Sequence, residues 1–333
     1  MSIILITGGC GFLGTSLIAS LLKDQPDIHI RVLDSLITGT LDDLGEVCAF
    51  SVTPPGQTVP NQPGVFFIQG DIRDADLMLS CTNGVGTIVH LAANTGVGPS
   101  VENPRLDMEC NVVGTFNMLE AARLNGVKKF IFASSGAPAG EVAPPIHEEL
   151  PPHPVSPYGS SKLAGEGYCS AYFRTFGIDT VCLRFGNVFG PRSKKKASVV
   201  AKFIRQALAG EECVIYGDGT QTRDFIYIDD LIRAMRMVMA KEIGGETFQI
   251  ASGTEHTVGE VAEKLCDILA KHNVAMRLTY GSSRLGDVKR NFSDTSKAYR
   301  MLSWKPEMPL EAGLESTILY FVNSNHARTA HRA

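Results

Sequence analysis

Residues 3–34 constrain this chain more than any other stretch. Ile3-Ile4-Leu5-Ile6-Thr7 is an apolar run of strand character that leads without a break into Gly8-Gly9-Cys10-Gly11-Phe12-Leu13-Gly14. Apolar residues then recur at helical spacing (Leu17, Ile18, Leu21, Leu22), and a second apolar run, Ile28 to Leu33, ends in Asp34. Glycines let the backbone turn sharply and approach a pyrophosphate, and the N–H groups at the helix start, at Phe12 and Leu13, favour an anion. An acid at the end of the second strand holds ribose hydroxyls. Strand, glycine turn, helix, strand and acid together predict a dinucleotide site built on Gly8, Gly11, Phe12, Leu13 and Asp34. A carboxylate at position 34 repels a 2′-phosphate, so the pattern favours NAD over NADP.

With 333 residues the chain is long enough for one large α/β domain or a domain with a smaller lobe. A net charge of −4 gives no reason to expect nucleic acid or an anionic membrane surface as a partner. Its eight cysteines are scattered with no C-x-x-C pair, which suits reduced thiols rather than disulfides or a metal site. Met1-Ser2 leads directly into the first strand and no apolar run approaches a membrane span, so a cytoplasmic protein is expected.

Strand signals at 3–7, 28–33, 65–69, 86–91, 128–134 and 178–183 alternate with helical patterns. Repeated βα alternation with near-continuously apolar strands predicts a Rossmann-type, doubly wound parallel sheet of the α/β class, covered on both faces. Residues 51–64, rich in Pro, Gly, Thr and Gln, read as a loose surface loop. Beyond about residue 185 the pattern loosens, with short strands near 213–216 and 247–250 and helices near 195–209, 229–240 and 257–271. That predicts a smaller C-terminal lobe interleaved with the first domain.

Ser156-Pro157-Tyr158-Gly159-Ser160-Ser161-Lys162 starts a helix, and Tyr158 and Lys162, four apart, share one of its faces. A phenol titrates near 10, too high for a base at neutral pH, but a nearby ammonium and a positive nicotinamide ring favour the phenolate. The pair is therefore expected to transfer a proton beside a cofactor. Ser135 closes the apolar run 128–134, at the carboxyl edge of a parallel strand, where a hydroxyl can bond the reacting oxygen and relay a proton to Tyr158. Lys194-Lys195-Lys196 reads as a solvated loop.

The chain resembles the extended short-chain dehydrogenases/reductases that act on nucleotide sugars. The likeness runs through Thr7–Gly14, Gly70-Asp71-Ile72-Arg73-Asp74, His90-Leu91-Ala92-Ala93, Asn111-Val112-Val113-Gly114-Thr115 and the Ser135/Tyr158/Lys162 triad. It continues in Leu183–Pro191, Tyr216-Gly217-Asp218-Gly219, Thr222-Arg223-Asp224-Phe225, Arg284 and Gly286-Asp287. The resemblance implies that residues 1–185 mainly bind NAD and that residues 186–333 mainly bind a nucleotide sugar. It implies that Asp71 and Ile72 contact the adenine, that Leu91, Ala92 and Ala93 pass along the cofactor, and that Lys162 also holds the nicotinamide ribose. It places Asn187, Val199, Arg223 and Arg284 on the sugar nucleotide, the arginines as diphosphate clamps, and Tyr216 against its base. Relatives pair as homodimers through segments corresponding to 100–124 and 157–176, where Ala164, Tyr168, Ala171 and Tyr172 offer an apolar stripe.

The resemblance also narrows the reaction. Members that dehydrate across C5 and C6 carry Asp-Glu just after the active-site hydroxyl; here those positions are Gly136-Ala137. Decarboxylating members carry a glutamate in that segment, which this chain lacks. A UDP-sugar 4-epimerase, working through a transient 4-keto sugar, needs no further acid or base and is the expected activity. Asn291, smaller than the tyrosine of some epimerases, leaves room for an N-acetyl group, and Gly98 stands where several uronate-handling relatives carry arginine.

Overall fold

The computed structural model describes residues 3–282 and 288–330. The apolar runs form strands β1 (Ile3–Thr7), β2 (His29–Asp34), β3 (Ser51–Thr53), β4 (Gly64–Gln69), β5 (Val85–His90), β6 (Lys129–Ser135) and β7 (Asp179–Phe185). They lie in the order β3-β4-β2-β1-β5-β6-β7, and the strand Glu246–Ile250 joins beside β7 as the eighth. All pairings from β3 to β7 are parallel. Every residue of β1 and β2 is buried, as a parallel sheet covered on both faces requires. The chain begins in the middle of the sheet and winds outward first to one side and then to the other. The order reverses between β1 and β5, and ligands of such sheets bind beyond the carboxyl ends of the strands at the reversal.

Two expectations are corrected. The stretch 51–64 is not all loop: Ser51–Thr53 adds to the edge of the sheet, parallel to β4. It is three residues long with an exposed first half, so it carries no apolar period to read. The strand near 247–250 belongs to the main sheet, not to a C-terminal lobe. Its partner β7 is far away in sequence, which local pattern cannot reveal.

The chain divides into two compact units, the first made of residues 3–142, 148–185 and 232–249. The second contains residues 143–147 and 186–231 and the described residues from 250 onward. In the second, Glu212–Tyr216 pairs in parallel with Arg277–Gly281 and Asn187–Phe189 with Phe225–Tyr227, while Thr222–Arg223 runs antiparallel to His256–Thr257. Helices Val199–Leu208 and Val258–Lys271 bury apolar residues on one side, and Trp304, fully buried, donates its indole N–H to the Asp230 carbonyl at 2.9 Å. No helix among the described residues is long and apolar enough to cross a membrane.

Candidate active site

The glycine turn joins β1 to helix α1 (Phe12–Asp24). Gly8 has a φ of +67°, and a Cβ there would stand 2.9 Å from the Ala92 nitrogen; a Cβ on Gly14 would stand 2.5 Å from the Gly9 Cα. Both positions therefore require glycine. Gly11 caps α1 with no side-chain hydrogen bond, so no side chain of the cap covers the helix start. The Asp34 carboxylate closes the turn from the other side. Oδ2 accepts the Cys10 N–H at 3.0 Å and Oδ1 the Leu36 N–H at 2.8 Å. Burial pushes this carboxyl up, and those two N–H groups pull it back. An uncapped helix N-terminus and a fixed carboxylate beside it fit the pyrophosphate and ribose of a dinucleotide.

At the end of β5, Leu91 N–H donates to the Thr7 carbonyl at 3.2 Å and Ala92 N–H to the Thr7 hydroxyl at 3.1 Å, which places 91–93 alongside the turn. Asp71 is held by Arg73 through both carboxylate oxygens, and that guanidinium lowers its carboxyl. Ile72 is buried beside it.

Ser135, Tyr158 and Lys162 do come together. Ser156 caps the helix Pro157–Phe176 by accepting the Gly159 N–H at 3.1 Å, with Pro157 in its first turn. Lys162, 3% exposed, donates from Nζ to the Ala133 carbonyl at 2.9 Å, and its ammonium lies 5.9 Å from the centre of the Tyr158 ring. The Ser135 hydroxyl accepts the Ala137 N–H at 3.2 Å. Burial pushes the Tyr158 phenol up to about 12; its hydrogen bond with Ser135 lowers it and Asp107 raises it. The expected lowering is thus not a property of the protein alone, because desolvation outweighs the hydroxyl. Lys162 moves the other way, down to about 8 by burial, with Asp107 opposing.

Sequence reasoning missed the polar network beneath these groups. His90 is fully buried with Nδ1 2.9 Å from the Thr7 hydroxyl and Nε2 3.2 Å from that of Thr115. Thr115 donates its own hydrogen to the Asn111 carbonyl at 2.7 Å, so Nε2–H donates to Thr115, and burial favours the neutral ring. Asn111, inside the π-helical turn Glu109–Val113, pairs with Asn94 and reaches Asp107 and Ser161. Glu166 forms a buried ion pair with Arg184. The spacing of Glu166, four residues beyond Lys162, was the one signal available for it.

In the second unit, Asn187, Val199, Tyr216 and Arg223 line one cavity of about 170 Å³, together with Lys202, Phe203 and Gln221 among others. The Lys202 ammonium stands over the Tyr216 ring, 5.5 Å from its centre. Arg223 donates from Nη1 to the carbonyls of Thr222 and Val288 at 2.6 and 2.7 Å. Arg284 and Gly286-Asp287 lie outside the described residues. Lys196 is not a solvated loop residue: it is half-buried and donates to the Val188 carbonyl at 2.7 Å. Of the stripe Ala164, Tyr168, Ala171 and Tyr172, Tyr172 packs into the core, with its hydroxyl on Glu120. The run of lysines and the helical spacing were each compatible with either side.

A family model described as the NAD dependent epimerase/dehydratase family matches residues 4–251. The chain belongs to this family. This epimerase/dehydratase is 38% identical over 329 residues to a putative UDP-glucose 4-epimerase of Methanocaldococcus jannaschii, covering 97% of this chain and 99% of that one. The structure of UDP-glucose 4-epimerase with UDP-glucose from Thermotoga maritima is similar at a TM-score of 0.86 and 34% identity, covering 97% and 99% of the two chains. The dTDP-glucose 4,6-dehydratase DesIV of Streptomyces venezuelae, with NAD and TYD bound, has a TM-score of 0.86 at 30% identity, covering 97% and 98%. The family is NAD-dependent, and so is this chain.

Proposed function

We propose that this chain is a UDP-sugar 4-epimerase. The observation that carries the reading is the segment after Ser135. Gly136, Ala137, Pro138 and Ala139 have no ionisable group, and Ala139 is buried, so nothing there can move a proton at C5 or expel a C6 hydroxyl. A chain with Ser135, Tyr158 and Lys162 but no such acid and base can oxidise and re-reduce one carbon, and can do little else to the sugar.

NAD held at the glycine turn and Asp34 supplies the hydride acceptor and donor. Tyr158 takes the C4 hydroxyl proton as the carbon is oxidised and returns it when the carbon is reduced. Burial pushes the phenol up even with Lys162 beside it, so the lowering it needs at neutral pH would come from the Lys162 ammonium together with the positive nicotinamide ring. Ser135 bonds the reacting oxygen and keeps the phenol oriented. Reduction from the opposite face requires only that the keto sugar turn over. Asn187, Val199, Tyr216, Arg223 and Arg284 are the proposed contacts to the nucleotide diphosphate, with the guanidinium groups as anion ligands. Relatives solved with UDP-glucose support the UDP-sugar assignment. A neutral or N-acetylated hexose fits the glycine at 98 and the asparagine at 291 better than a uronic acid.

We also read the protein as a cytoplasmic homodimer. Phe116 and Tyr168, both exposed, meet edge to face at 5.6 Å, and Leu124 and Phe176 extend the exposed apolar residues of the same helices. Eight free thiols suit a reducing compartment. The reaction is tested by incubating the protein with UDP-glucose and recording products. A galacto-configured UDP-hexose is expected; accumulation of a 4-keto-6-deoxy sugar contradicts the proposal and restores the dehydratase reading.

A further inference from the structure

Asp34 is buried, and backbone N–H groups take both of its carboxylate oxygens: Oδ2 accepts from Cys10 at 3.0 Å and Oδ1 from Leu36 at 2.8 Å. A carboxylate held at both oxygens cannot rotate without giving up a charge-assisted hydrogen bond. The two donors come from different segments. Cys10 belongs to the glycine turn, whereas Leu36 lies in the turn that follows β2. Leu36 has a φ of +60°, a left-handed conformation that a leucine seldom takes. Such a residue persists where its surroundings over-determine it, and ligand clamps are one such place.

The surroundings here are the glycine turn itself. Gly39 is buried, and a Cβ on it would stand 2.4 Å from both the carbonyl carbon and the oxygen of Cys10 and 2.8 Å from the Cys10 Cβ. The turn after β2 is therefore seated on the backbone of the residue whose N–H holds Asp34. Just beyond it, Thr40 and Asp43 form a capping box. The Thr40 N–H and hydroxyl donate to Asp43 Oδ2 at 2.9 and 2.6 Å, the Asp43 N–H donates to the Thr40 hydroxyl at 3.3 Å, and Leu44 is fully buried. The turn is thus fixed at both ends. Between Arg31 and Arg73 the chain has no Lys, Arg or His, so this turn brings no cation to a 2′-phosphate.

We propose that Leu36 and Gly39 are positioning residues for cofactor selection: the packing of Gly39 on Cys10 sets the turn whose Leu36 N–H holds the Asp34 carboxylate where it accepts ribose hydroxyls and repels a 2′-phosphate. The proposal rests on the reading of Asp34 as the ribose ligand and is independent of the reaction on the sugar. Equilibrium dialysis of the full chain against NAD and, separately, against NADP gives the ratio of the two dissociation constants. In Gly39→Ala the carboxylate remains but its support is displaced. NAD binding weakens about tenfold, the size of one hydrogen bond to a charged group, while NADP binding does not weaken. Leu36→Gly, which keeps the N–H and takes a positive φ freely, retains the wild-type ratio. Leu36→Pro, with no N–H and a φ of about −65°, loses it, and serves in place of Gly39→Ala should that variant not fold. Equal weakening of both cofactors in Gly39→Ala or Leu36→Pro, as from general loosening of the site, overturns the proposal; Asp34 then stands as the ribose ligand if Asp34→Ala still shrinks the ratio. A ratio unchanged in Asp34→Ala overturns the reading of Asp34 and the proposal with it.

Discussion

Glu166 grips Arg184 with both carboxylate oxygens, at 2.8 and 2.7 Å, one helical turn beyond Lys162. Both side chains are under a tenth exposed, and Glu166 Oε1 also accepts the Ser134 hydroxyl at 2.5 Å. Ser134 precedes Ser135 on β6, and Arg184 lies on β7. The pair therefore pins the helix bearing Tyr158 and Lys162 onto the two strands beneath it. Breaking a buried pair by removing one partner leaves an uncompensated charge, so Glu166→Ala is expected to cost about 3–5 kcal/mol in chemical denaturation. A loss under about 1 kcal/mol, the worth of an exposed pair, contradicts the clamp.

Tyr158→Phe removes only a hydroxyl, yet that hydroxyl is the proposed proton carrier. Turnover is expected to fall roughly 100- to 10,000-fold. Bound NAD, measured after denaturing the purified protein, is expected to stay near the wild-type content. Near-wild-type turnover removes Tyr158 from the mechanism.

His90 predicts a sensitivity to acid. Burial, with a further contribution from Lys162, holds the imidazole down to about 3 in the folded protein, whereas the unfolded chain binds the proton near 6.5. The unfolded state thus binds more protons between these values, so stability rises with pH through that window. It is complete above about pH 6.5 and is lost on acidification by about 1.4 kcal/mol per pH unit from this one group. Urea unfolding at a series of pH values checks it. His90→Gln keeps a polar amide between Thr7 and Thr115 and should flatten the slope by one proton; an unaltered slope contradicts the assignment.

Asp34→Ala takes away the acceptor of the Cys10 and Leu36 N–H groups and the proposed ribose ligand. Hydrogen bonds to a charged group are worth about 1.5–3 kcal/mol, so NAD affinity should drop roughly 10- to 100-fold. The preference for NAD over NADP should shrink with it. Equilibrium dialysis with each cofactor reads both effects.

Most of the sheet was legible because its strands are buried on both faces and therefore read as continuous apolar runs, Ile3–Thr7 and Phe66–Ile68 among them. The glycine turn was legible for a different reason, since Gly8 and Gly14 occupy places where any side chain meets backbone. Ser51–Thr53 and Glu246–Ile250 were not, because a strand's place in a sheet depends on a partner distant in sequence. The same holds for the buried polar groups. Asp107, Asn111 and Ser161 look like ordinary surface helix residues until the fold packs them against one another, and the phenol's shift to about 12 depends on desolvation that no local pattern records.

The central claim is that one carbon is oxidised and reduced with no net change other than its configuration. The most direct measurement follows the anomeric NMR signals of UDP-glucose and, in a separate tube, UDP-galactose, with purified protein and no added reductant; UDP-N-acetylglucosamine and its galacto epimer are run alongside. The account predicts that one of these epimer pairs converges from both sides on the same ratio, with no keto signal accumulating. Conversion in one direction to a 4-keto product would contradict it.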